Sequence, residues 1–258
     1  MQTISSKDNS KLKLARKIVA GTEKHSILLE GLRLTEESLR SKIVIEDILV
    51  TPRCAESDRA KKIIEAQRDK VSIVDEQLFD SISDTKRSQG ISIIAKRPVA
   101  DKVSFESEIK SPRVIVALHS ITNPSNLGAV LRTAEAAGIS GIIISKDSAD
   151  VFGVKALRSA MGSTLRLPLW TGATLEEIAE WGKSNGILLT GTDAHAGTAY
   201  TSLDWKKPRI LVFGSEAHGL SDREKSLLDD VVSIPMENDV ESLNLAVSAG
   251  ILLFESKR

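Results

Sequence analysis

The feature that most restricts this chain is a set of short runs with no polar alternation. Val114-Ile115-Val116-Ala117-Leu118, Ile142-Ile143-Ile144, Ile187-Leu188-Leu189 and Ile210-Leu211-Val212-Phe213 are apolar at every position. A strand with one wet face alternates with period two, so runs of this kind need cover on both faces. The segments between them read as helices, including 127–138, stopped by Gly138, then 154–161 and 174–185. Strands separated by helices describe an α/β fold built on a parallel sheet. Ligands of such sheets bind in the loops at the carboxyl ends of the strands.

The chain end is different in character. Leu245 to Phe254 is apolar on almost every face and rich in small residues, so it reads as a buried, closely packed helix. Ahead of it, Ser233-Ile234-Pro235-Met236 ends a strand on a proline, which lacks the amide needed to continue a ladder. After the polar loop 237–240, Glu241-Ser242-Leu243-Asn244 sets acid, hydroxyl and amide groups beside a helix start. The free backbone amides there suit polar or anionic ligands, although Glu241 or Ser242 could equally be a simple cap.

Residues 1–98 read as a smaller α/β module, with helices over 6–20, 31–41 and 55–68 and strands over 43–50, 71–74 and 91–95. A polar turn covers 84–90. The charged, proline-bounded stretch 99–112 is the expected linker, and 113–258 the second unit. Lys+Arg and Asp+Glu balance at 35 each, so whole-chain charge names no partner. The first helix is nonetheless basic, and Lys11, Lys13, Arg16 and Lys17 are its candidates for RNA contact. One cysteine, Cys54, excludes an internal disulfide and a cysteine-rich zinc module. The four histidines are scattered without metal spacing, so no metal is expected. No run reaches transmembrane length, so no membrane partner is expected. Neither GxGxxG after the first strand nor a P-loop lysine pattern is present, which disfavours a dehydrogenase or an NTPase.

Three loops at the expected sheet edge carry a resemblance. Asn123-Pro124-Ser125-Asn126-Leu127-Gly128 with Arg132-Thr133-Ala134 and Gly138, Phe213-Gly214-Ser215-Glu216-Ala217-His218-Gly219-Leu220, and Ile234-Pro235-Met236 with Glu241-Ser242-Leu243-Asn244 come in order. Together they resemble the three motifs of the SpoU (TrmH-type) RNA ribose 2′-O-methyltransferases of the SPOUT superfamily. Arg158-Ser159-Ala160-Met161-Gly162 with Leu167-Pro168-Leu169 is similar to a further family segment. Glu30-Gly31-Leu32-Arg33 and Gln89-Gly90-Ile91 resemble the L30e-like RNA-binding domain of ribosomal RNA members. Asn123 stands where the family often has Asp.

The resemblance implies a trefoil-knotted C-terminal domain, S-adenosylmethionine as cofactor, a homodimer and an RNA substrate, ribosomal in preference to transfer RNA. It places Asn126, Arg132, Glu216, Ser242 and Asn244 in the active site, and Gly214, Ile234, Met236 and Leu243 at the cofactor. A cytoplasmic location follows, with organelle import left open by the basic N-terminus. Arg132 lies among small and apolar residues, where a guanidinium calls for an anionic partner. Because arginine hardly ever gives up its proton, its expected role is a clamp on phosphate or ribose while Glu216 orients the hydroxyl. The rival from another class is a non-catalytic RNA-binding or ribosome-assembly protein.

Overall fold

The computed structural model describes residues 1–85, 87–238 and 240–258. Lys86 of the expected polar turn and Asp239 of the expected polar loop lie outside the described residues. The chain forms two compact units. One comprises Met1–Pro98 with Val151–Arg166, the other Val99–Asp150 with Leu167–Arg258. Among the described residues no helix is long and apolar enough to cross a membrane.

The first unit runs β1 (Gln2–Ile4), α1 (Ser10–Val19), β2 (Ser26–Glu30), α2 (Leu32–Arg40), β3 (Ile45–Val50), α3 (Pro52–Ala55), α4 (Asp58–Ala66), β4 (Val71–Val74), α5 (Glu76–Asp80) and β5 (Ile91–Lys96). Its sheet has the order β1-β4-β3-β5-β2. β4 lies parallel to β1 and β3, while β5 is antiparallel to β3 and β2. Leu12, Ala15 and Ile18 recur at helical spacing on α1 and pack with Leu28, Leu49, Val74 and Ile94 of the sheet. The edge strand β1 is too short to show a pattern, and only its Ile4 is buried. Gly90 fixes the turn into β5: its φ is +73°, and a Cβ there would stand 2.3 Å from Thr51 Oγ1.

The basic side chains of α1 are largely engaged at home. Lys11 Nζ lies 2.5 Å from Asp47 Oδ1 and 3.0 Å from Ser72 Oγ. Lys13 pairs with Asp8 at 3.0 Å. Arg16 donates to Ser81 Oγ at 3.1 Å and to the Lys7 carbonyl at 2.7 Å. Lys17 is exposed.

The chain continues as α6 (Lys102–Glu108), β6 (Val114–Leu118), α7 (Pro124–Ala136) and β7 (Gly141–Ser145), then α8 (Val154–Ala160). It closes with β8 (Leu169–Ala173), α9 (Leu175–Ser184), β9 (Leu188–Thr192), β10 (Arg209–Phe213), α10 (Asp222–Lys225), β11 (Asp230–Val232) and α11 (Leu245–Glu255). The second unit's sheet is parallel throughout, in the order β11-β9-β10-β6-β7-β8. Every residue of β6, β7 and β10 is buried, as runs apolar at every position demand.

Four expectations are corrected. The stretch 99–112 is part of the second unit rather than a linker. Asp101 caps α6 by accepting from the Ser104 amide at 2.8 Å. Phe105, only 1% exposed, sits with its ring centroid 6.1 Å from Trp170 and 5.7 Å from Trp181. Residues 151–166 belong to the first unit, because Val154 joins that core and Arg158 pairs with Asp84 at 3.0 Å. β11 ends at Val232, so Ile234 and Met236 lie outside the ladder instead of ending a strand. Finally, α11 is not buried all round. Ala249, Leu252 and Leu253 face inward, while Val247 and Phe254 are 51% and 52% exposed. Gly250 faces α7 across the α11–α7 contact, with the Thr133 methyl beside it.

Replacing Phe105 by Ala should destabilise the protein by about 3–5 kcal/mol, the loss typical of a buried aromatic. Urea unfolding followed by tryptophan fluorescence reads it, and a loss under about 1 kcal/mol would mean that 99–112 is only a connector.

Candidate active site

Two turns at the carboxyl ends of neighbouring strands create the site. After β6, Asn123 caps α7: its side-chain oxygen accepts from the amides of Ser125 at 2.9 Å and Asn126 at 3.3 Å. Pro124, whose fixed φ suits a first helical turn, follows directly. Asn here does the capping work of an Asp. After β10, the chain makes a narrow loop closed by the Gly219 amide donating to the Ser215 carbonyl at 2.8 Å. A Cβ on Gly214 would stand 2.5 Å from the carbonyl carbon and oxygen of Gly219, so only glycine permits this approach.

Glu216 occupies the tip of that loop and reaches the first turn. Its carboxylate accepts from the amides of Thr122 at 3.2 Å and Asn123 at 3.3 Å, and from Asn126 Nδ2 at 3.3 Å. Asn126 Oδ1 in turn accepts from Asn244 Nδ2 at 3.3 Å. Asn244 Oδ1 caps α11 through the Ala246 amide at 2.9 Å. One hydrogen-bonded chain, Glu216–Asn126–Asn244, thus links three segments distant in sequence.

Beside this chain lies a cavity of about 650 Å³. Asn126, Glu216, Ser242 and Asn244 line its polar side. Gly214, Ile234, Met236 and Leu243 line it too, the last three giving an apolar wall. Arg132 is placed otherwise. It is exposed, does not line the cavity, and makes no hydrogen bond or ion pair with another described residue. The cause is helical phase: six residues beyond Asn126 on α7 means roughly 240° around the axis and about 9 Å along it. The expected anionic partner is therefore not found among the described residues of this chain.

Sequence reasoning missed the far wall. Lys225 on α10 pairs with Asp193, which follows β9, and both line the cavity. The His195 amide also donates to Asp193, at 2.8 Å. The hydrogen bond from Lys225, and then that from His195, hold the Asp193 carboxyl below the usual range, and Asp193 raises Lys225. On the other side of α10, His119 Nε2 lies 2.7 Å from Glu224 Oε1. Burial pushes Glu224 up, but the hydroxyl and amide of Ser221, with His119, outweigh it and leave the carboxyl below its ordinary value. No motif marks these pairs. Only the sheet order, which sets β9 and β6 on either side of β10, could have suggested them.

Residues 113–254 match the model of the SpoU rRNA Methylase family. The chain belongs to that family. Residues 9–92 match an MRM3-like substrate binding domain. Over 257 residues, 98% of both proteins, the chain is 28% identical to the 23S rRNA (guanosine(2553)-2'-O)-methyltransferase of Bacillus subtilis. It is 32% identical over 182 residues to the 23S rRNA (guanosine-2'-O-)-methyltransferase of Bordetella pertussis, covering 70% of this chain and 74% of that one. The AdoMet-bound rRNA methyltransferase of Sinorhizobium meliloti superposes with a TM-score of 0.86 at 26% identity, over 99% of this chain and 97% of that chain.

The Asp193–Lys225 pair sets a pH window. A depressed carboxylate contributes stability above its unfolded pKa of about 3.9 and loses it as pH falls through the folded value. A raised lysine contributes below about 10.4 and loses it as pH climbs through the folded value. The melting-temperature gap between wild type and Asp193→Asn should accordingly be flat from about pH 5 to 9 and shrink on both sides. A gap independent of pH throughout would show that the pair adds nothing by charge.

Proposed function

We propose that this chain transfers a methyl group from S-adenosylmethionine to a ribose 2′-hydroxyl of large-subunit ribosomal RNA. The observation that carries the reading is one cavity lined by Asn126, Glu216, Ser242 and Asn244 beside the apolar wall of Ile234, Met236 and Leu243. Family membership supports the reaction, and the names of the Bacillus and Bordetella relatives support the ribosomal substrate. The bound AdoMet of the Sinorhizobium structure supports the cofactor. The cavity fits such a group: its volume lies within the range of about 300–1,000 Å³ for small-molecule sites, and residues 214–219, which line it, are half-buried or exposed.

When bound, the cofactor supplies a methyl group on a positively charged sulfur that leaves as a neutral thioether. The chain's own task is to set the 2′-oxygen in line and to ease loss of its proton. Glu216 already accepts from three donors, which leaves a lone-pair direction open to receive a hydrogen bond from the hydroxyl. Asn126 and Asn244 keep that carboxylate in register with the start of α11. Ser242 offers a hydroxyl on the same wall. Arg132 acts as a two-pronged clamp on phosphate or ribose.

Arg132 stands on α7 next to Thr133, which packs against α11, and α11 carries the exposed apolar residues Val247 and Phe254. This arrangement suits a homodimer in which a second copy covers that face and receives Arg132 at its own cavity. The path of the chain end also suits a knot, since β11 lies at the sheet edge beyond β9 while α11 returns to α7, which follows the interior strand β6. RNA capture falls to the first unit. There Lys17 is exposed, whereas Lys11, Lys13 and Arg16 would have to exchange their present partners for phosphate. The cytoplasm, where ribosomal RNA is assembled, is the location this reading implies.

Incubation with tritiated S-adenosylmethionine and 23S ribosomal RNA should place label in 2′-O-methyl nucleotides. Label only in transfer RNA would move the substrate, and no label in either would leave a binding protein. Arg132→Ala and Glu216→Ala should each cost about a hundredfold in rate, judged by losses of charged transition-state contacts. Mixed together they should recover about a quarter of the wild-type rate, because half of randomly exchanged dimers hold one intact site. Mixed dimers that form yet stay inactive would show that Arg132 serves its own chain.

A further inference from the structure

We propose that Glu224 and Lys225 are positioning residues, which fasten the Gly214–Leu220 loop to the strand ends on both of its sides and so hold Glu216 at the cavity. The proposal rests on the methyl-transfer reading for what Glu216 does, but not for how it is held. α10 is a helix of four residues with none buried, and a helix of one turn does not hold itself in place. Leu220 before it is in the core, and Leu227 and Leu228 after it pack against the core. Those contacts fix where α10 begins and ends, and leave its rotation about its own axis to polar ties.

Two ties supply it. Adjacent helical residues point about 100° apart, so Glu224 and Lys225 leave α10 in different directions. Glu224 meets His119 at the end of β6, and Lys225 meets Asp193 at the end of β9. These are the two neighbours of β10, the strand that delivers the loop. The second oxygen of Glu224 accepts from the amide of Ser221 at 2.6 Å and from its hydroxyl at 2.7 Å, carrying the constraint to the residue that follows Leu220. From there the loop moves as one piece. The Gly219–Ser215 hydrogen bond closes it, and the contact of Gly214 with Gly219 leaves no slack. A rotation of α10 therefore displaces Glu216 from the amides of Thr122 and Asn123.

Amide hydrogen exchange on the full-length protein, followed by mass spectrometry, tests this without any ligand. Lys225→Met should raise exchange about tenfold in 215–221 and at 122–123 while β6 and β10 stay protected. His119→Phe, which keeps the ring but loses the tie, should do the same. Lys225→Arg, and the exchange of charges in Asp193→Lys with Lys225→Asp, should restore protection. In methyl transfer, Lys225→Met should lower kcat about tenfold with KM for 23S ribosomal RNA within about twofold of wild type. Unchanged exchange in Lys225→Met, exchange that rises evenly through β6 and β10, or failure of both restoring variants would each overturn the proposal. A wild type that moves no methyl group would overturn the methyl-transfer reading alone, because the exchange pattern is read independently of turnover.

Discussion

The cavity exists because side chains, not the sheet, join three turns. Backbone pairing brings β6 and β10 side by side, but it ends at Leu118 and Phe213 and says nothing about the loops beyond. The carboxylate of Glu216 bridges that gap by taking two main-chain amides from the neighbouring turn, and Asn126 extends the bridge to Asn244 and the start of α11. Exposed hydrogen bonds between neutral groups contribute little net stability, and those to a charged group contribute more. The arrangement accordingly defines geometry more than it stabilises the fold, whose stability resides in the doubly covered strands beneath.

Much of this was legible in the residues. Strands apolar throughout announced a buried parallel sheet, and Asn123-Pro124 announced a capped helix directly after one of them. The loops before α7 and α11 and after β10 stood out for polar groups next to small or apolar ones. What escaped notice depended on long-range geometry. Nothing local links Asp193 to Lys225 or His119 to Glu224, since each pair meets only through the strand order. The small and apolar neighbours of Arg132 in the sequence call for an anionic partner, yet the phase of α7 turns it outward.

The unit boundaries failed to show for a related reason. In 99–112 a single aromatic, Phe105, is decisive, and one buried residue amid charges leaves no periodic signal. The attachment of 151–166 to the first unit depends on Val154 entering a distant core and on Arg158 finding Asp84. A continuous polypeptide therefore passes between the two bodies three times, after Pro98, after Asp150 and after Arg166.

The strand order has a consequence for how the protein is made. Val114 pairs with Arg209, so during synthesis one long side of β6 waits, uncovered, until most of the catalytic half has left the ribosome. An apolar strand with an open edge is a template for unwanted pairing, and late insertion of β10 between β9 and β6 makes for slow folding. The nascent chain should thus depend on chaperones most during the interval between the emergence of β6 and that of β10.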